Sequence, residues 1–209
     1  MRTHRLLQIT LWIAALLGLT AFGILQSGLV PRPQQSSPLA VTTGTAQIGG
    51  AFRLESHKGE IVTNQSLKGR PAAVFFGFTY CPEVCPTALI DLSGLLQELG
   101  ADGDKITPVF ITVDPERDTR PVLAEYMQAF DPRIIALTGS LADVDTAAKA
   151  FKVFYRKVPD DLGGYTMDHS AAVYLMDREG RFAGSLDKHE PKEAKLRKLR
   201  ALIGNSSPT

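Results

Sequence analysis

Cys81 and Cys85 stand in Cys81-Pro82-Glu83-Val84-Cys85-Pro86 and are the only cysteines in the chain. A thiolate is both a nucleophile and a soft metal ligand. Such a pair can close a disulfide, hold a metal ion, or do each in turn. If a helix begins here, C-x3-C spacing puts the sulfurs on adjacent turns. The Cα atoms then fall within the roughly 4.4–6.8 Å that a disulfide permits. That bridge would close a very short loop and constrain little chain entropy, so its value would be chemical. Two buried cysteines packing as small hydrophobes are the plainer alternative. Amides at a helix start would stabilise a thiolate, whereas the Glu83 carboxylate would favour the thiol.

Two thiolates and an imidazole form a donor set that suits Cu(I). The chain has four histidines. His4 lies beside Arg2 and Arg5 at the N-terminus, His57 in the polar turn Ser56-His57-Lys58-Gly59, and His189 at the head of a charged helix. These three read as solvated. His169, in Asp168-His169-Ser170, directly precedes an apolar run and is the candidate third ligand. A buried, hydrogen-bonded structural histidine is the competing reading. Phosphate-loop, H-E-x-x-H and G-x-S-x-G motifs are all absent.

Positioning these side chains needs a scaffold, and the hydrophobic pattern supplies one. Ala72–Thr79 and Ile106–Val113 are short apolar runs, the pattern of strands buried on both faces. Between them Pro86–Leu99 carries Leu89, Leu92, Leu95, Leu96 and Leu99 at helical spacing. Thr119 and Pro121 open a helix with Val122, Leu123, Tyr126 and Phe130. Asp114-Pro115-Glu116-Arg117-Asp118-Thr119 before it reads as a turn and helix cap. Ile134–Leu137 predicts a short strand. Leu141–Phe151 predicts a helix with Asp143 and Asp145 near its positive end. Ala171–Met176 and Arg181–Ser185 predict a hairpin turned at Arg178-Glu179-Gly180. Pro191–Ile203 predicts a last helix with Leu196, Leu199 and Ile203 on one stripe. Its basic residues, Lys188 to Arg200, read as a solvated face. Strands alternating with helices indicate an α/β fold around a mostly parallel sheet.

The composition narrows the function. A net charge of +1 removes a bulk-charge case for nucleic-acid binding. With 44% hydrophobic and 22% charged residues the 209-residue chain is not disordered. From Leu6 to Pro31 there is no charged residue. Leu6–Leu25 matches the ~20 apolar residues of a bilayer-spanning helix. Arg2 and Arg5 before it favour a cytoplasmic N-terminus and a translocated body. A cleaved signal peptide is the alternative, but its apolar region is ~7–15 residues and ends in a small-residue cleavage pattern. Residues 1–30 are therefore expected to form a membrane anchor. Residues 31–47, rich in Pro, Gln, Ser and Thr, are expected to form a linker. A globular domain over 48–204 and a short tail over 205–209 complete the expected organisation.

Four stretches carry a resemblance. They are Phe76-Gly77-Phe78-Thr79-Tyr80-Cys81-Pro82-Glu83-Val84-Cys85-Pro86-Thr87, Val113-Asp114-Pro115-Glu116-Arg117-Asp118-Thr119, Leu137-Thr138-Gly139-Ser140 and Asp168-His169-Ser170-Ala171. In this order, across most of residues 48–185, they resemble the SCO/SenC family of membrane-anchored copper chaperones for cytochrome c oxidase. The resemblance implies a thioredoxin-like fold and a copper site made by Cys81, Cys85 and His169. It also implies a role in building the dinuclear copper centre of oxidase subunit II, with exchange among other copper carriers. In such a sheet the Ala171–Met176 strand runs antiparallel to the first buried strand, which brings His169 toward the cysteine loop. Thioredoxins themselves carry C-x2-C and a cis-proline before the matching late strand, where this chain has His169-Ser170.

Three functions follow from these residues. The first is a metal-binding assembly factor rather than an enzyme, held at a bacterial inner membrane with its body in the periplasm. The second is a thiol–disulfide oxidoreductase cycling Cys81 and Cys85 against partner cysteines. The third is a peroxide-consuming enzyme with Cys81 as nucleophile. Only the dithiol can bind Cu(I), so the first two are compatible.

Overall fold

A computed structural model describes residues 47–160 and 163–204. The expected anchor, nearly all of the expected linker and the expected tail lie outside the described residues. Among the described residues no helix is long and apolar enough to cross a membrane.

Nine strands and four α-helices follow one another in this body. Strands β1 (Arg53–Ser56) and β2 (Ile61–Thr63) form a first hairpin. Strand β3 (Ala72–Gly77) leads through the cysteine loop into helix α1 (Val84–Leu99). Strand β4 (Thr107–Thr112), helix α2 (Arg120–Tyr126), strand β5 (Ile135–Thr138) and helix α3 (Leu141–Ala150) follow. Strands β6 (Tyr155–Pro159) and β7 (Tyr165–His169) pair as a separate ribbon. Strands β8 (Val173–Met176) and β9 (Phe182–Leu186) and helix α4 (Lys192–Gly204) close the body.

The seven-stranded sheet runs β2-β1-β5-β4-β3-β8-β9. Its centre holds the predicted buried strands. Every residue of β3 is buried, and Val109, Phe110 and Ile111 of β4 are fully enclosed. Helix α1 turns its leucines Leu89, Leu92, Leu95, Leu96 and Leu99 onto this sheet, as their spacing predicts.

Parallel pairing is less extensive than expected. Only β3–β4 and β4–β5 are parallel, because only those neighbours are joined by crossover helices. The flanking strands β1, β2, β8 and β9 pair antiparallel. Antiparallel pairing of β8 with β3, implied by the resemblance, is present, with Phe75 opposite Val173.

Three local expectations change. The β1–β2 hairpin and the β6–β7 ribbon are elements that the sequence pattern does not assign. Asp118 and Thr119 do not cap α2: Thr119 makes no side-chain cap bond, and Asp118 points back under the cysteine loop. Lys195 is not on a solvated face. It is 5% exposed, with its Nζ 2.5 Å from the Asp91 carboxylate. Of the two acids expected near the positive end of α3, Asp143 lies in its first turn, and its N–H donates to Ser140 Oγ.

Candidate metal centre

The cysteine loop leaves the carboxyl end of β3, where open α/β sheets place their sites. Helix α1 starts at Val84, so Cys85 lies in its first turn. Pro86 lies there too, where its missing N–H costs no helical bond. Glu83 at the N-cap position makes no side-chain cap bond. The Cys81 sulfur takes that part, accepting the Cys85 N–H at 3.3 Å. Cys81 is half-buried, whereas Cys85 is fully buried.

Gly77 makes room for the second sulfur. A Cβ there would lie 2.8 Å from Cys85 Sγ and 2.9 Å from the Phe110 ring. The sequence alone gives no sign of this role, because Gly77 reads there only as one residue inside the apolar run Ala72–Thr79.

His169 is the last residue of β7, not the residue just before β8. The ribbon's period-2 alternation sets its direction. Met167 is buried and Thr166 and Asp168 are exposed, so Tyr165, Met167 and His169 share the inner face. The imidazole Nε2 lies 3.3 Å from Cys85 Sγ. On the other side, Nδ1 lies 2.9 Å from the Ser170 carbonyl. A carbonyl only accepts, so Nδ1 carries the proton and Nε2 presents its lone pair to the sulfurs. The edges of Phe78 and Phe75 wall the ring, at centroid distances of 5.8 and 6.2 Å.

The three candidate ligand atoms lie within 4.8 Å of one another. Among the described residues this is the one group of three such side chains that converges. His189 is exposed, as expected. His57 is not merely solvated: its Nδ1 accepts the Ala136 N–H at 3.0 Å across the sheet.

Electrostatics divide the two sulfurs. The Cys81 thiol is held down to about 4, chiefly by a hydrogen bond from Cys85 and against the effect of burial. The backbone N–H groups of Cys85 and Glu83 add to this. Glu83 therefore supports the thiolate through its backbone, the reverse of what its carboxylate predicts. Cys85 is pushed up by its bond to Cys81 and by burial. At neutral pH the pair is one thiolate and one thiol.

Asp118, fully buried, braces the loop from beneath. Its carboxylate accepts from Thr79 N–H at 3.0 Å, Thr79 Oγ1 at 2.6 Å and Thr112 Oγ1 at 2.6 Å. Burial raises its pKa above the ordinary carboxylate value, against the bonds from Thr112 and Thr79. In the sequence this residue reads only as part of a turn and helix cap.

Two soft sulfurs and one imidazole fit a soft cation such as Cu(I). The half-exposed Cys81 leaves the group open to exchange on one side. The same sulfurs can instead be oxidised to a disulfide, which removes both as ligands.

The SCO1/SenC family model matches residues 40–204. A SCO2-like protein of Rickettsia felis is 38% identical over 178 residues, 84% of this chain and 87% of the relative. The structure of Bradyrhizobium japonicum ScoI with copper bound is 43% identical, with a TM-score of 0.70 over 74% of this chain and 99% of that one. Yeast Sco1 with copper bound is 35% identical, with a TM-score of 0.72 over 78% and 92%. The family model over most of the chain and relatives of this identity show that the chain belongs to the SCO1/SenC family.

Proposed function

We propose that this protein binds copper through Cys81, Cys85 and His169 and passes it on during assembly of cytochrome c oxidase. The recipient in this reading is the dinuclear copper centre of subunit II. The observation that carries it is the convergence of two sulfurs and one imidazole nitrogen within 4.8 Å. Family membership and relatives solved with copper bound support it. Copper here is cargo. Binding Cu(I) to both sulfurs requires the Cys85 proton to leave, so loading releases a proton. Release is favoured by the half-exposed Cys81, where a partner's thiolate can replace one ligand at a time. The body works outside the cytoplasm of a bacterial cell, held at the inner membrane by residues 6–25.

A second reading has its own observation. The stabilised Cys81 thiolate suits attack on a partner disulfide. Cys81 would form a mixed disulfide, Cys85 would resolve it, and the partner would leave with two thiols as this chain keeps the Cys81–Cys85 bridge. That reaction needs no imidazole ligand.

Replacing His169 separates the readings. His169→Ala should lose copper on dialysis against a competing chelator while still forming the Cys81–Cys85 bridge. Elemental analysis, thiol titration and circular dichroism of one sample measure all three properties. Full Cu(I) occupancy in a folded His169→Ala protein would overturn the three-ligand site.

A further inference from the structure

Arg117 lies outside the ligand group, yet it touches both chain segments that bring the ligands. Its guanidinium carbon lies 4.7 Å from the ring centroid of Tyr80, the residue before Cys81. It lies 3.8 Å from the ring centroid of Tyr165, on the inner face of the ribbon that ends in His169. The Phe78 ring, which edges the His169 imidazole, is 5.9 Å away. Planar guanidinium groups stack on aromatic faces, and a desolvated cation gains more from the contact.

Polar contacts hold this stack. Arg117 pairs through Nε with the buried Asp114 carboxylate. It also donates through Nη1 to the Tyr165 carbonyl at 2.9 Å. The Tyr165 hydroxyl donates to the other Asp114 oxygen at 2.9 Å. Arg117 Nη2 is enclosed without a hydrogen-bond partner. Lys157 of β6 adds an ion pair to Glu116. The ribbon is not part of the seven-stranded sheet; buried Met167 anchors it in the core, and ties of this kind join it to the cysteine loop.

We infer that Arg117 is a positioning residue: it rivets the cysteine loop to the β6–β7 ribbon and thereby sets the distance from the two sulfurs to His169. The inference rests on the reading of His169 as the third copper ligand. Residues that orient ligands from outside typically change metal affinity by about 10–100-fold.

The test compares Arg117→Lys, His169→Ala and the double variant with the parent protein. Lysine keeps a cation for Asp114 but loses the planar face and the fork. Competition with a chromophoric Cu(I) chelator should show affinity lowered by roughly 10-fold or more in Arg117→Lys. In the His169→Ala background the same change should cost nothing further, because no imidazole remains to be positioned. Tyr80→Ala, at a side chain 64% exposed and so outside the core, should weaken binding in the same direction. Amide hydrogen exchange on metal-free Arg117→Lys should quicken in residues 155–169 and stay unchanged in β3 and β4. An equal loss of affinity in both backgrounds, or ribbon exchange as slow as in the parent, would overturn the positioning role. If His169→Ala alone leaves affinity unchanged, the ligand reading fails instead, and ribbon exchange still decides whether Arg117 is the rivet.

Discussion

Cys81 lies in the loop before the helix and Cys85 is buried in its first turn, and that difference sorts their chemistry. Cys81 is half-exposed beside the helix N-terminus, and its thiol is held down to about 4 by bonds that favour the charged form. Cys85 is enclosed and pushed the other way. A lowered thiol stays ionised as pH falls, until pH nears its own value. Iodoacetamide should therefore label Cys81 first in the reduced protein, at a rate nearly flat from pH 5 to pH 8. An ordinary thiol titrating near 8.5 would slow about tenfold for each unit below that. Peptide mass spectrometry of timed samples reads the rate at each cysteine. A Cys81 rate climbing tenfold per unit between pH 5 and 8 would place it among ordinary thiols.

At the scale of elements, His57 ties the β1–β2 hairpin to β5. Its backbone N–H donates to the Ala136 carbonyl, and its Nδ1 accepts the Ala136 N–H. A ring nitrogen that accepts must be unprotonated. Burial lowers its pKa below 6.5, with the Ala136 carbonyl and Glu60 acting against this and Lys58 in the same direction. A base whose folded value lies below its unfolded value binds its proton more readily in the unfolded chain. This contribution is complete above the unfolded value of about 6.5 and declines as pH falls below it. Urea unfolding at pH 7.5, 6 and 5 should show stability dropping across that range. In His57→Asn, which keeps an acceptor but cannot titrate, the drop should be smaller. Parallel pH curves for the two proteins would assign the loss to other groups.

For the whole molecule, every candidate ligand lies within the described body, and the charge-free run of residues 6–25 lies before it. Copper capacity and membrane attachment should therefore separate cleanly. The full chain should stay with the membrane in alkaline carbonate. A chain lacking residues 1–46 should be soluble and keep the same copper stoichiometry, because the core is built from residues 52–202. Release of the full chain into the carbonate supernatant would remove the anchor. Loss of copper from the folded short chain would show that the N-terminal segment takes part in the site.

Local pattern determined much of this protein. The apolar runs at β3 and β4 and the leucine spacing of α1 were legible, because burial on one or both faces leaves a periodicity in the chain itself. The cysteine pair was legible for a similar reason: both sulfurs sit within one loop and one helical turn. The four ordered motifs carried the family likeness, and with it His169. Tertiary structure decided what depends on distant partners. The β6–β7 ribbon has short, mixed-polarity strands whose inner face is defined only by what it covers, so the pattern assigns no element to Tyr155–Pro159 and Tyr165–His169. Gly77 matters through a sulfur eight residues on, Asp118 through Thr79 and Thr112, and Arg117 through rings on two separate segments. Lys195 looked solvated because its partner Asp91 lies on another helix. Periodicity records which face of an element meets the core, but only the folded chain brings such pairs together across long stretches of sequence.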